Sequence, residues 1–383
     1  MQKIPEIPLN RFSATARVLE RAVAQKSFPA AVIELGDATR PLWRQAFGRL
    51  HLEAGAPAAA DDTIFDLASL TKVLATTTIV MQQVERGAIG LDDRVSRHVA
   101  TWQDADRVHV TIRDLLAHSA GLAAYVPFYR DYRPSADPPL GMCRRAGSPS
   151  EDRGNPAEMR AEFERAVCRV PLDYTPRTKS VYSDLGFLLL GFILEKNIRL
   201  PARFDAMRCD VGIVEDLQFN PPALWKRRTA PTEIDSWRGR LLVGEVHDEN
   251  AAALGGAAGH AGLFGTAAAC GQYARHVLQV LDGKVGAFSR ATAETFITRG
   301  ADVPGSSRAL GWDTMLPSSS CGSRMSPRAF GHTGFTGTSL WIDPDRGVYV
   351  VLLTNRVHPT RANEAIRQVR PAVHDAVMDA LGR

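Results

Sequence analysis

Lysine is scarce in this chain. Among 383 residues it occurs only at Lys3, Lys26, Lys72, Lys179, Lys196, Lys226 and Lys284. Basic residues never gather beyond short runs such as Arg144-Arg145 and Lys226-Arg227-Arg228, and the net charge is only +4, so the electrostatic footprint of a nucleic-acid binder is missing. Long apolar runs are missing too. The longest, Gly186 to Leu194, is far too short for a membrane span. Residues Met1 to Phe28 are charged and amphipathic and lack the apolar core of a signal peptide, so the chain reads as cytoplasmic unless a leader was removed. The five cysteines (Cys143, Cys168, Cys209, Cys270, Cys321) form no CxxC and no Cys/His cluster, which argues against zinc and for reduced packing residues. GxSxG, HExxH and P-loop patterns are all absent, which counts against a lipase elbow, a zinc peptidase and a nucleotide phosphatase.

The composition that remains, 45% hydrophobic and 23% charged, is that of a globular protein long enough for two lobes or one large domain with an insertion. Residues 10–27 predict a helix, and Ala30–Leu35 with Leu42–Phe47 a strand pair turning at Gly36-Asp37. Asp62–Leu67 leads into a helix closed by Gly87, and Thr111-Ile112-Arg113-Asp114 resembles a capping box for a short helix ending near His118-Ser119. Residues 126–157 carry little periodicity and predict a long loop or lid. Gly186–Glu195 predicts an apolar helix, and residues 267–281 another after Gly262–Thr266. Ser339–Asp343 and Val348–Thr354 predict a hairpin around Pro344-Asp345-Arg346-Gly347, followed by a final helical region from Ala362 that Pro371 interrupts or restarts. Strands at both ends and helices between them suggest a discontinuous α/β domain, residues 1–68 with 245–383, holding a mostly helical insertion at 69–244.

Ser69-Leu70-Thr71-Lys72 carries the chemistry. Positions i and i+3 share a helix face, so the Ser69 hydroxyl and the Lys72 amine can meet. A desolvated amine loses part of its charge and can then accept or relay the serine proton. The plainer reading is a helix-capping serine and a solvated lysine, because roughly one SxxK is expected by chance in a chain of this length. Two later segments bear on the choice. Tyr182-Ser183-Asp184 places a phenol and a carboxylate at a helix entrance. His332-Thr333-Gly334 precedes a strand, and its glycine lets a substrate lie beside the backbone. Alone, each is an ordinary cap or turn.

Taken in this order, SxxK, a YxN-like triplet and a (K/H)TG triplet resemble the β-lactamase and penicillin-binding-protein superfamily. The likeness is to its class C-like branch, which includes the family VIII carboxylesterases and D-amino-acid peptidases. Phe65–Lys72, Leu115–Leu122, Ala261–Thr266 and Gly331–Gly337 extend the likeness, which runs from about residue 15 to about 380. The resemblance implies an α/β (α+β) fold, an antiparallel sheet flanked by helices with a mostly helical inserted domain. It also implies acyl transfer through Ser69, with Lys72 and Tyr182 moving its proton; either could be the resting base. The oxyanion hole would be the backbone N–H groups of Ser69 and Phe335, and Asp184, His332, Thr333 and Gly334 would bind substrate. No metal and no cofactor is implied. The expected partner is a small ester, amide or peptide; the oligomeric state is left open.

Two departures bear on substrate. Asp184 stands where an asparagine is usual, and a carboxylate only accepts hydrogen bonds. It could pair with Lys72 and raise its pKa, or accept from a substrate amine. His332 stands where a lysine would hold a substrate carboxylate, and a histidine is largely neutral at pH 7. Both weaken the case for an efficient β-lactamase. They favour a carboxylesterase with weak β-lactamase activity, ahead of a D-amino-acid peptidase, muropeptide amidase or true β-lactamase, and ahead of a non-catalytic sensor. His118, His247 and His260 predict structural hydrogen bonds. His247-Asp248-Glu249-Asn250 predicts a polar cleft wall, with a metal site the lesser alternative.

Overall fold

The computed structural model describes residues 11–133, 144–145, 156–300 and 303–382. Its centre is an antiparallel sheet of β1 (Ala30–Asp37), β2 (Pro41–Gly48), β6 (Asp313–Thr314), β7 (Phe330–Thr333), β8 (Ser339–Asp343) and β9 (Val348–Thr354), in the order β6-β7-β8-β9-β1-β2. The two ends of the chain thus meet in the middle of the sheet, where Ala31 pairs with Thr354 and Asp37 with Val348. A smaller sheet joins β3 (Phe65–Asp66), β4 (Leu217–Phe219) and β5 (Leu263–Gly265), with β5 in the centre.

Strand β1 is buried on both faces, which explains its apolar start, Ala30–Ile33; the buried Glu34 that follows is paired with Arg44 and Arg275. Ala30 and Val32 face the larger core beneath α6 (Ala267–Leu281), whereas Ala31, Ile33 and Leu35 face a second core under α1 (Ser13–Ala24) and α7 (Ile366–Leu381). Further helices include α2 (Thr78–Glu85), α3 (Ile112–Leu116), α4 (Asp184–Leu194) and α5 (Glu249–Ala253). The Thr111 capping box forms with Asp114, and Thr266 caps α6 through the N–H of Ala269. The architecture is a mixed α/β fold of antiparallel sheets flanked by helices, as the sequence predicts.

Several local expectations are corrected. Strand β1 runs through Gly36-Asp37 with an irregularity at Leu35/Gly36, and the turn lies at residues 38–40, where the Asp37 carboxylate accepts from the N–H groups of Thr39 and Arg40. Pro371 neither interrupts nor restarts a helix; it lies inside α7. Helix α7 begins at Ile366 rather than Ala362. Of the expected loop at 126–157, Phe128–Asp131 forms a 3₁₀ turn, Tyr132–Arg133 pairs with Arg144–Arg145, and a helix starts at Pro156. The remainder of that loop, Cys143, and residue 10 of the first helix lie outside the described residues. No helix among the described residues is long and apolar enough to cross a membrane.

Candidate active site

Ser69 lies where the backbone turns from β3 towards α2. Ala68 adopts a φ of 47°, a left-handed conformation that residues with a Cβ seldom take. The N–H groups of Leu70, Thr71 and Lys72 then bond to the carbonyls of Leu67, Ala68 and Ser69, each at 3.0 Å. This is tight 3₁₀-type winding, and it relaxes at once into a wide π turn over Lys72–Thr77. The buried Asp66 braces the turn, accepting from the N–H of Ala68 at 2.8 Å and from that of His247 at 2.6 Å. Ser69 and Lys72 consequently face the same cleft.

Lys72 is wholly buried. Its ammonium donates to Ser69 Oγ at 2.9 Å, Asp184 Oδ1 at 2.7 Å and the His260 carbonyl at 3.1 Å. An ammonium has three donors, so none is left over. Burial alone would lower its pKa, but the Asp184 carboxylate, with Tyr182 adding to it, holds the amine above its ordinary value. This corrects the expectation of a partly discharged amine. A carboxylate in direct contact outweighs desolvation.

Tyr182 sits against Lys72 just before α4. Its Oη is buried and has no hydrogen-bond partner among the described residues. Burial pushes its phenol up, and the Lys72 charge pulls in the opposite direction without cancelling it. Two cations approach its ring, Lys72 Nζ at 4.9 Å and Arg308 Cζ at 5.3 Å from the centroid. Two histidines pack on it as well, with centroids at 4.7 Å for His118 and 5.8 Å for His332.

Their hydrogen bonds define both tautomers. His118 Nδ1 accepts from the Ser183 N–H at 3.1 Å, which leaves its proton on Nε2. His332 Nδ1 lies 2.8 Å from the Thr333 carbonyl, so it donates, and its Nε2 keeps a lone pair. Neither Nε2 has a partner among the described residues. Burial, then the charges of Lys72 and Arg308, hold both rings well below the usual histidine range. His332 is therefore neutral, as the sequence suggests, and for a stronger reason than composition alone.

The segment after β7 closes the other side. Thr336 Oγ1 donates to the Asp66 carbonyl at 2.7 Å and Thr338 Oγ1 to the Leu67 carbonyl at 3.0 Å, fastening this turn beside Ser69. Gly334 is required there, since a Cβ would lie 2.0 Å from Thr338 Oγ1 and 2.6 Å from the Leu67 carbonyl. The Phe335 carbonyl is held by Arg356 Nε at 2.7 Å, and the Gly334 carbonyl by buried Arg370 at 2.7 Å. The backbone N–H groups of Ser69 and Phe335 make no hydrogen bond among the described residues. Thr333 contributes its carbonyl to His332, and the half-exposed Phe335 ring stacks on His247.

An acidic patch borders Lys72. Asp248 Oδ1 accepts from the Ala251 N–H, capping α5, and lies 2.8 Å from His260 Nε2. His260 outweighs the effect of burial and holds the Asp248 carboxyl below its ordinary value. Asp184, Asp248 and His260 present ligand-type atoms within 4.8 Å of one another. Lys72 already neutralises part of that charge. His247 instead joins Glu233 at 2.8 Å, away from Asp248.

Ser69, Lys72, Tyr182, Asp184 and His332 are thus brought together, and Gly334 and Phe335 line the same cleft. Sequence reasoning missed Arg308, whose position against Tyr182 has no local signal. It took His118 and His260 for structural residues only. Both support the cluster, through the Tyr182 ring contact and through the carbonyl that receives Lys72.

The comparison with known families agrees with this geometry: the model described as Beta-lactamase matches residues 15–374. The chain belongs to the beta-lactamase family. Members of this family are serine hydrolases. Among its relatives, a protein of Escherichia coli K12 named "Putative D-alanyl-D-alanine carboxypeptidase" is 31% identical over 333 residues, covering 78% of this chain and 70% of that one. The "N-acetylmuramyl-L-alanine amidase" of Bacillus subtilis 168 is 30% identical over 381 residues, covering 89% of this chain and 80% of that one. Of the solved structures, EstCE1, a hydrolase with promiscuous acyltransferase activity, matches with a TM-score of 0.70 at 22% identity, over 95% of this chain and 98% of its own. A penicillin-binding protein homologue from Caulobacter crescentus matches with a TM-score of 0.69 at 18% identity, over 98% of this chain and 99% of its own. At these identities the two structures are alike in fold.

Proposed function

We propose that Ser69 is the nucleophile of a two-step acyl transfer that hydrolyses an amide bond in a small, cell-wall-type peptide. The observation that carries this reading is the bond from Lys72 Nζ to Ser69 Oγ at 2.9 Å, beside a Tyr182 hydroxyl that has no partner among the described residues. With Lys72 held as an ammonium, it is not the resting base. A phenol hydroxyl both accepts and donates a proton. Tyr182 acts as a relay: its own proton moves to the scissile nitrogen as the Ser69 proton moves onto its Oη and Oγ bonds to the carbonyl carbon, so the phenol is neutral before and after, and the C–N bond then breaks with the nitrogen already protonated. Lys72 orients Ser69 Oγ and steadies the negative charge that builds on that oxygen as its proton leaves. Water then attacks the acyl-enzyme by the reverse relay.

The tetrahedral oxyanion lies between the N–H groups of Ser69 and Phe335, each worth about 3 kcal/mol in comparable sites. Asp184 keeps Lys72 charged, His332 and Thr333 border the substrate, and Gly334 lets it approach. Amide chemistry comes ahead of the ester chemistry favoured by sequence reasoning because relatives at 30–31% identity are named for amide bonds. The intact cluster counts against a non-catalytic sensor.

A fluorophosphonate probe, read by mass spectrometry, should label Ser69. Turnover should be compared on a peptide ending in D-Ala-D-Ala, a muramyl-L-alanine amide, p-nitrophenyl esters and nitrocefin. Turnover of esters without either amide would overturn the amide reading. Absence of any adduct on Ser69 would overturn the nucleophile.

A further inference from the structure

The turn that carries the Phe335 N–H rests on an unpaired cation. Arg370 projects from α7 and is buried, with 8% of its surface exposed. Its Nη2 donates to the Gly334 carbonyl at 2.7 Å and to the Thr338 carbonyl at 2.9 Å. Both acceptors are neutral, and no carboxylate pairs with it among the described residues. Its Nε has no partner among them either. A buried charge without a counter-charge is costly to keep. Closing the turn does not account for that cost, because the backbone closes it already. The Gly337 N–H donates to the Gly334 carbonyl at 3.1 Å, and the Gly334 N–H to the Thr338 carbonyl at 2.7 Å. The hydroxyls of Thr336 and Thr338 fasten the same turn to the Asp66 and Leu67 carbonyls.

What Arg370 adds is charge on one particular peptide. The Gly334 carbonyl and the Phe335 N–H belong to the same planar unit, which is trans. The two groups of a trans peptide point in opposite directions. A carbonyl turned towards α7 therefore turns the N–H away from α7, to the cleft side. The bond from a guanidinium is charge-assisted and strong. It draws electron density from the amide nitrogen to the oxygen, and the N–H becomes a better donor in turn. Arg356 fixes the following carbonyl, that of Phe335, at 2.7 Å, so the N–H lies between two anchored carbonyls. We propose that Arg370 is a positioning residue of the oxyanion hole, which orients and polarises the Gly334–Phe335 peptide so that its N–H stabilises the tetrahedral oxyanion more than an ordinary amide would. This rests on the acyl-transfer reading above. The gain arises only as negative charge develops on the substrate oxygen, so it lowers the barrier rather than tightening substrate binding.

The test compares wild type, Arg370→Met and Arg370→Lys. Phenylboronic acid serves as the transition-state mimic, because its boron takes the Ser69 oxygen and becomes a tetrahedral anion. Arg370→Met should lose about ten-fold in kcat, with KM changed less than about two-fold, on whichever peptide or p-nitrophenyl ester the wild type turns over. Its affinity for phenylboronic acid should fall by a matching factor. Arg370→Lys keeps the charge and should stay within about three-fold of wild type on both readouts. The melting temperature of Arg370→Met should not fall, since an unpaired charge is removed and both carbonyls keep their backbone donors. An Arg370→Met chain that unfolds would give Arg370 a structural role and overturn the proposal. So would an unchanged kcat, or an Arg370→Lys enzyme as impaired as Arg370→Met. A wild type that binds no boronate and turns over none of these substrates would overturn the acyl-transfer reading itself. A wild-type adduct that Arg370→Met leaves unweakened would overturn the Arg370 assignment alone.

Discussion

Lys72 Nζ meets Asp184 Oδ1 at 2.7 Å across 112 residues of chain. This contact determines the state of the site. It keeps a fully buried amine charged, uses one of its three donors, and leaves Tyr182 as the group with proton capacity to spare.

Removing the nucleophile is the simplest check. Ser69→Ala should lower turnover by about 10⁴-fold or more on every substrate and abolish covalent labelling. Its melting temperature should fall only modestly, because Lys72 loses one of three acceptors but keeps Asp184 and the His260 carbonyl. Retained turnover would refute Ser69.

Asp184→Asn should lower the melting temperature, because it strips a buried ammonium of its counter-charge. The effect has a pH signature. Lys72 has a folded pKa above its ordinary 10.5, so its contribution to stability is complete below about 10.5 and is lost as pH rises through the folded value. The stability gap between wild type and variant, from urea unfolding, should therefore be full at pH 9 and shrink as pH rises above about 10.5. A constant gap would mean that the pair is not the source of the raised pKa. The double variant Asp184→Asn/His332→Lys should raise the nitrocefin-to-ester rate ratio, with a further loss of stability from a third cation near Lys72 and Arg308.

Glu233 supplies the acid limb. Against the effect of burial, bonds from His247 and Arg361 hold its carboxyl near 2 rather than the ordinary 4.5. A depressed carboxyl contributes stability above about 4.5, and that contribution disappears as pH falls towards 2. Glu233→Gln should flatten the fall in stability over this range. An unchanged acid limb would place the loss elsewhere.

Gly334→Ala should uncouple folding from function. The added Cβ meets the Leu67 carbonyl at 2.6 Å, so the turn carrying the Phe335 N–H must move away from Ser69. A shift on the order of 1 Å costs about 10²-fold in kcat. Steady-state kinetics with circular dichroism would check this; a fall of less than about three-fold would show that the close approach is not needed.

Local features of this fold were readable because their causes are local. The hairpin of Ser339–Asp343 and Val348–Thr354 appears at the expected residues, since a Pro-Asp-Arg-Gly turn joins two β-rich runs. The Thr111–Asp114 capping box is likewise contained within four residues. The first hairpin was misplaced by two residues because Gly36-Asp37 resembles a turn, whereas pairing with Tyr349 and Val348 keeps both residues in the strand. Pro371 looked like a break, yet it lies inside a helix packed against α1 and the sheet.

The sequence by itself determined the reactive groups and their order: a serine and a lysine one turn apart, a tyrosine at a helix entrance, and a glycine-flanked strand end. These depend on spacing within a few residues. The tertiary structure alone decided how they are charged and oriented. Lys72 is an ammonium because Asp184 and the His260 carbonyl converge on it from distant segments. Tyr182 is flanked by His118, His332 and Arg308 for the same reason. Electrostatic interaction falls with distance and rises with burial, and neither quantity exists until the chain has folded.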